Sequence, residues 1–350
     1  MTRALFNGRT GRWHRALTAA AVAGMALIGA AAVPDAGAAS AATGLGATAA
    51  ARGRYFGAAV QPGRLTDPVY TGLLDQEFNS VTPENALEWD AVEPARNQFA
   101  FTAAGLVVDR ARAHGAAVRG RGLVSPSADH VAWVAALSAD DTRTALRSHI
   151  TAILSHFRGQ VGTWDVVSEA FADSGSVRPS MFANRLGPVY LEEAFRAARA
   201  ADPAARLCYN DFGIEDLGLP KAQAVYDLVR DFRSRGVPID CVGLESHFIS
   251  AAAIPSTYGR TVAAFAALGV NVEITELDVG GSGTAQADAY RRVVSACIAV
   301  SRCTGVTVWG VRDSDSWRSN LTPLLFDAAG TRKPAYYGAL SAMRICAVRC

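Results

Sequence analysis

Neither a CxxC pair nor an HExxH sequence occurs in the 350 residues, so the short paired spacings of zinc sites are missing and no metal or other cofactor is expected. No GxGxxG follows the first apolar strand candidate, which counts against a dinucleotide-binding sheet. A surplus of one charge is lacking too: beyond residue 38 the chain carries 30 Lys and Arg against 31 Asp and Glu, with no basic stripe. Nucleic acid is therefore not an expected partner. No Ser/Thr/Pro-rich linker interrupts the chain, which favours one large domain.

One long apolar run is present. Arg3, Arg9, Arg12 and Arg15 precede the Ala-rich stretch Leu17 to Val33, and Ala36-Gly37-Ala38 offers a small-residue exit. This reads as a signal peptide over 1–38. A retained membrane anchor is the alternative, although Thr18, Gly24 and Gly29 break the run and it is shorter than the ~20 residues of a span. The expected product is secreted, extracellular and monomeric, with no membrane partner after signal removal. Six cysteines, Cys208, Cys241, Cys297, Cys303, Cys346 and Cys350, all follow the signal, and an even count in an exported chain reads as disulfides. An Ala/Gly-rich segment over 39–53 leads into a domain over 54–350.

Short apolar runs alternate with amphipathic helical stretches along that domain. The strand candidates are Phe56–Val60, Ser80–Glu84, Ala117–Val124, Thr163–Ala170, Ala205–Asp211, Cys241–His247, Asn271–Asp278 and Gly305–Asp313. Helices are expected over Ala104–His114, Asp141–Phe157, Val189–Ala201 and Lys221–Arg235, three of them stopped by Gly115, Gly159 and Gly236. His114, His149 and His156 fall in helical stretches, where a solvated or half-buried role is expected. Eight beta-alpha repeats predict the α/β class and a (β/α)8 TIM barrel with a single catalytic domain; an open doubly wound sheet is the competing arrangement.

A barrel gathers its active site at the carboxyl ends of its strands. Glu169 and Glu276 both end runs too apolar to leave a carboxylate anywhere but a strand mouth, and strands four and seven face each other across the top. One carboxylic acid and one carboxylate so disposed suit glycoside hydrolysis. A loop cap or an arginine partner is the ordinary alternative for either glutamate alone.

At these residues the chain resembles glycoside hydrolase family 10, the endo-beta-1,4-xylanase family, from about Tyr55 to Met343. The similarity rests on Phe78-Asn79-Ser80-Val81-Thr82-Pro83-Glu84-Asn85, on Trp164-Asp165-Val166-Val167 with Glu169-Ala170, on Ile274-Thr275-Glu276-Leu277-Asp278, and on Gly305-Val306-Thr307-Val308-Trp309-Gly310. The resemblance implies a retaining enzyme with Glu169 as acid/base and Glu276 as nucleophile, the latter oriented by His247 with help from Asp278. It implies that Glu84 and Asn85 bind hydroxyls of the second sugar from the cleavage point, and that Trp309 and Trp317 stack on sugar rings. It also implies disulfides Cys208–Cys241 and Cys297–Cys303, leaving Cys346 to Cys350. Asn210 is a further strand-end residue expected to contact substrate.

Several family residues are replaced. Ser168 stands for an Asn, Glu88 for a Lys and Glu245 for a Gln; Arg121, Ser125, Pro126 and Ala128 occupy positions of a His, a Trp, a second His and a Gln. The expected substrate is a plant cell-wall polysaccharide or oligosaccharide, with xylan first. A glycosidase of the same fold turned to another substrate, such as a plant glycoside in the manner of the tomatinase members, and a weakly active carbohydrate-binding protein are the alternatives.

Overall fold

The computed structural model describes residues 44–345. The signal peptide expected over 1–38 and the pairing of Cys346 with Cys350 lie outside the described residues. Eight strands form the wall: β1 Tyr55–Val60, β2 Ser80–Pro83, β3 Ala117–Gly120, β4 Thr163–Ser168, β5 Arg206–Asp211, β6 Cys241–Leu244, β7 Asn271–Val279 and β8 Cys303–Val308. Each pairs in parallel with the next, and β8 returns to β1 with Tyr55 opposite Gly305, so the sheet closes into a barrel. The TIM barrel holds, and the open sheet is set aside. A two-residue strand, His247–Phe248, lies beside the end of β7 with His247 opposite Asp278.

The strands are buried on both faces, and all six residues of β4 are buried although Thr163, Asp165 and Ser168 are polar. Helices cover the outside by burying one stripe each, as Val189–Ala201 does with Tyr190, Leu191, Ala194, Phe195 and Ala198. Their ends follow local chemistry: Asp67 accepts from the N–H groups of Val69 and Tyr70, and Gly236, at φ +67°, ends the helix Pro220–Arg235. Inside the barrel, Arg119 pairs with Asp165 and Glu273, and Tyr55 donates to Glu273 at 2.9 Å. This polar floor lies below the strand mouths.

Five strands stop earlier than the sequence reading expects, β2 by one residue at Pro83, β4 by two at Ser168, and three others by more. β3 ends at Gly120 rather than Val124 because Gly122 turns the chain at φ +83°, where a Cβ would stand 2.8 Å from the Glu88 side chain. β8 ends at Val308, before Gly310 at φ +133°. β6 ends at Leu244, and Ser246 at φ +61° separates it from His247. Within the segment 39–53, residues Leu45–Ala50 form a helix whose first N–H donates to Glu77 at 3.2 Å. His149 departs from its expected role: it is fully buried, stacked on Trp89 at 3.7 Å, with Nδ1 2.8 Å from Glu93. Helical periodicity turns that position inward.

Cys208 and Cys241 are bonded across β5 and β6, where they face each other in register, and Cys297 and Cys303 are bonded across a short connection into β8. Their sequence separations are 33 and 6 residues. Loop closure then predicts losses of about 4 and about 2 kcal/mol when each bridge is removed by a double Cys→Ser replacement. Urea unfolding of the two variants checks the order; a larger loss for Cys297/Cys303 would contradict it.

Candidate active site

The turn after β4 aims Glu169. Its backbone sits at φ +57°, a left-handed conformation costly for a residue with a Cβ. Hydrogen bonds hold it there: Glu169 N–H donates to the Asn210 carbonyl at 2.9 Å and Ala170 N–H to the Tyr209 hydroxyl at 3.0 Å. Tyr209 in turn donates to Asp211 at 2.6 Å, and Lys221 Nζ lies 2.7 Å from the same carboxyl. Burial pushes Asp211 up to about 7 against the pull of Lys221. The Glu169 side chain remains partly exposed, with Arg178 Nη1 3.2 Å from its Oε2.

Glu276, near the end of β7, is buried by contrast. Asn210 Nδ2 donates to its Oε1 at 2.9 Å, His247 Nε2 lies 3.2 Å from its Oε2, and Arg121 Nε stands 3.5 Å from Oε1. Burial disfavours the charge, but Arg121, His247 and Asn210 outweigh it and hold the carboxyl below its ordinary range. Asn210 is fixed by the Thr275 hydroxyl at 2.6 Å and fits because β6 carries Gly243, where a Cβ would fall 2.1 Å from Asn210 Oδ1. His247 Nδ1 is 3.0 Å from Asp278, which accepts from Trp317 Nε1 at 2.8 Å and Arg318 at 3.4 Å. Burial opposes the imidazolium, yet Asp278 and Glu276 raise it to about 9.

Arg121 reaches past Glu276 to Glu88, at 2.7 Å, and donates to the Glu84 carbonyl at 2.9 Å, with its guanidinium 5.0 Å from the centre of the Trp309 ring. Glu88 also accepts from Ser125 and Ser127, at 2.5 and 2.6 Å. It is therefore a saturated carboxylate. Removing Arg121 would leave the buried Glu88 without its cation and Glu276 with His247 alone, and breaking a buried pair in this way costs about 3–5 kcal/mol in comparable cases.

These groups border a cavity of about 650 Å³ at the strand mouths. Of the residues picked out by sequence, Glu84, Asn85, Arg121, Glu169, Glu245, His247, Glu276, Trp309 and Trp317 line it, while Asp278, Glu88, Ser168 and Asn210 stand behind its wall. The line from β4 to β7 divides it. On one side lie Glu84, Asn85, Arg121 and the two tryptophans; on the other, Phe212, Glu215, Leu219, Phe248 and Pro255. Sequence reasoning missed that second side and Arg178. Phe212 directly follows the strand-end Asp211 and was within reach of the strand-mouth rule; the Arg178 loop gave no signal.

Glu245, His247 and Glu276 could each offer a ligand atom within 4.8 Å of the others. Yet Arg121 stands beside Glu276, and Asn210 Nδ2 donates to both glutamates, at 3.0 Å to Glu245. Donors aimed at the carboxylates already supply what a metal ion would.

The sequence model described as Glycosyl hydrolase family 10 matches residues 44–342. The chain is 38% identical over 283 residues to Endo-1,4-beta-xylanase 3 of Hypocrea jecorina, covering 81% of this chain and 80% of that one. Among solved structures it resembles native xylanase 10B from Thermotoga maritima, with a TM-score of 0.81 and 32% identity over 86% of this chain and 98% of that one. It also resembles the GH10 xylanase from Bispora sp. MEY-1 with xylobiose, at TM-score 0.81 and 33% identity, covering 85% and 99%.

Because the folded value of His247 is raised, the stability its cation confers is complete below about 6.5, the unfolded value, and is lost as pH rises through about 9. NMR titration of the His247 ring should show it charged throughout the neutral range, with Asp278→Asn lowering its midpoint. A midpoint near the ordinary histidine value in the unaltered protein would contradict the assignment.

Proposed function

The chain belongs to glycosyl hydrolase family 10, and we propose that it is a secreted, monomeric endo-1,4-beta-xylanase in which Glu276 is the nucleophile and Glu169 the acid/base. The observation that carries this reading is the asymmetry of the two glutamates. Glu276 is buried and held ionised by Arg121, His247 and Asn210, as an attacking carboxylate must be, whereas Glu169 borders the open cavity, where a leaving oxygen and later a water can reach it.

Hydrolysis proceeds by double displacement with retention. Glu276 attacks the anomeric carbon while Glu169 gives its proton to the departing oxygen; a water then loses its proton to Glu169 and displaces the sugar from Glu276. The bond between Asn210 and Glu276 fixes one oxygen, and His247, anchored on Asp278, fixes the other. The sugar donating its anomeric carbon extends toward Glu84 and Asn85, with Trp309 and Trp317 as apolar surfaces, and the leaving sugars lie along Phe212, Leu219 and Phe248.

On the side of Glu84, Arg121 is paired with the buried Glu88, which also accepts from Ser125 and Ser127, so these groups have little hydrogen-bonding capacity left for a sugar. Binding energy from xylose units added there should be small, and the leaving-group side should supply more. Kinetics on xylo-oligosaccharides of increasing length, with cleavage sites mapped by an end label, measure this; a dominant gain from units added on the Glu84 side would refute it. The two disulfides support an oxidising, extracellular destination.

Glu276→Ala should lower turnover by about 10,000-fold or more on every substrate. Glu169→Ala should lose about 100- to 10,000-fold on xylan, yet retain measurable turnover of aryl xylosides whose leaving group needs no proton. Azide should accelerate the Glu169 variant and give a β-glycosyl azide. An α-configured azide would mean that the two roles are exchanged.

A further inference from the structure

Glu245 is a third carboxyl at the catalytic pair, and its surroundings do not suit an anion. The residue is almost fully buried but borders the cavity. Its Oε1 accepts from Asn210 Nδ2 at 3.0 Å, and the same nitrogen donates at 2.9 Å to Glu276 Oε1. Two carboxyls thus share one amide. Among the described residues Oε2 accepts no hydrogen bond; His247 Nε2 stands 3.8 Å away and is closer, at 3.2 Å, to Glu276.

The cations nearby are committed elsewhere. Arg121 serves Glu88 and Glu276, Lys221 serves Asp211, Arg178 serves Glu169, and His247 lies between Glu276 and Asp278. Glu276 on β7, Glu169 just past β4 and Asp211 on β5 turn negative potential toward Glu245, and Arg121 just past β3 offsets only part of it. Burial first, and then these three carboxyls, push Glu245 well above the carboxylate range.

We propose that Glu245 is a further catalytic residue of this site, a neutral carboxylic acid whose Oε2–H donates to a hydroxyl of the sugar seated over Glu276. This rests on the reading of Glu276 as nucleophile. The placement of the proton follows from the geometry: Oε1 is the acceptor of the Asn210 N–H, so the acid proton belongs on Oε2, the oxygen left without a protein donor. In this form Glu245, like an amide side chain, presents a donor on one atom and an acceptor on the other, with one donor where an amide has two. Ionised, it becomes acceptor-only and sets a second negative charge beside Glu276. The enzyme therefore loses its sugar donor as pH rises.

The test is the pH dependence of kcat/KM for a dinitrophenyl β-xylobioside, whose departure needs no proton, so that Glu169 does not set the alkaline limb. The unaltered enzyme should show an alkaline limb, and Glu245→Gln, which keeps an N–H donor at every pH, should move that limb upward by about one unit or more, whatever its absolute rate. Glu245→Ala should fall at all pH values and lack the limb. Thermal unfolding gives a second readout: a raised carboxyl costs stability progressively as pH climbs above about 4.3, the unfolded value, so the Tm advantage of Glu245→Gln over the unaltered protein should grow with pH from there. An unchanged limb in Glu245→Gln, or a Tm difference independent of pH, overturns the assignment. If the unaltered protein cleaves the aryl xylobioside at no pH, the hydrolase reading falls, and this inference with it.

Discussion

The site depends on keeping one buried carboxylate charged. Glu276 has almost no contact with water, and taking a charge out of water costs several kcal/mol unless donors and cations replace the solvent. Arg121, His247 and Asn210 do so from three different strand ends, and each is fixed by something else: Arg121 by Glu88, His247 by Asp278, Asn210 by Thr275. A nucleophile so held needs no rearrangement of its surroundings when it attacks.

That requirement explains features of the backbone that local propensity opposes. Ser246 adopts a left-handed conformation just before His247 and places the imidazole between Glu276 and Asp278. Glu169 does the same at the end of β4, and the Asn210 carbonyl that receives its N–H belongs to the residue whose side chain serves Glu276. Both halves of the chemistry are tied to one position on β5. Gly243 serves the same end by omission, since any side chain there would displace Asn210.

Much of this was legible in the sequence because strand mouths follow from apolar runs that end in polar residues. The eight strands and the closed barrel emerged as expected, and so did the pairings Cys208–Cys241 and Cys297–Cys303, which the family resemblance had implied. Strand ends were read too long at β3 and β8, where glycines at positive φ turn the chain sooner than hydropathy indicates. His149 was misjudged because composition does not tell which face of a helix meets the barrel. The partner of Arg121 was out of reach for another reason. A lone Arg among several glutamates has no pairing preference that spacing can express, and only the turn at Gly122 brings Glu88, Ser125 and Ser127 together around it.

The account stands or falls on Glu276 as the group that bonds to sugar. Incubation with a 2-deoxy-2-fluoro xylobioside carrying a good leaving group slows both steps but the second more, so the glycosyl-enzyme accumulates and its position can be read by peptide mass mapping. The account predicts stoichiometric inactivation with the sugar ester on Glu276, and none of it in Glu276→Gln. A label on Glu169 or Glu245, or turnover by an inverting route with no ester formed, would contradict it.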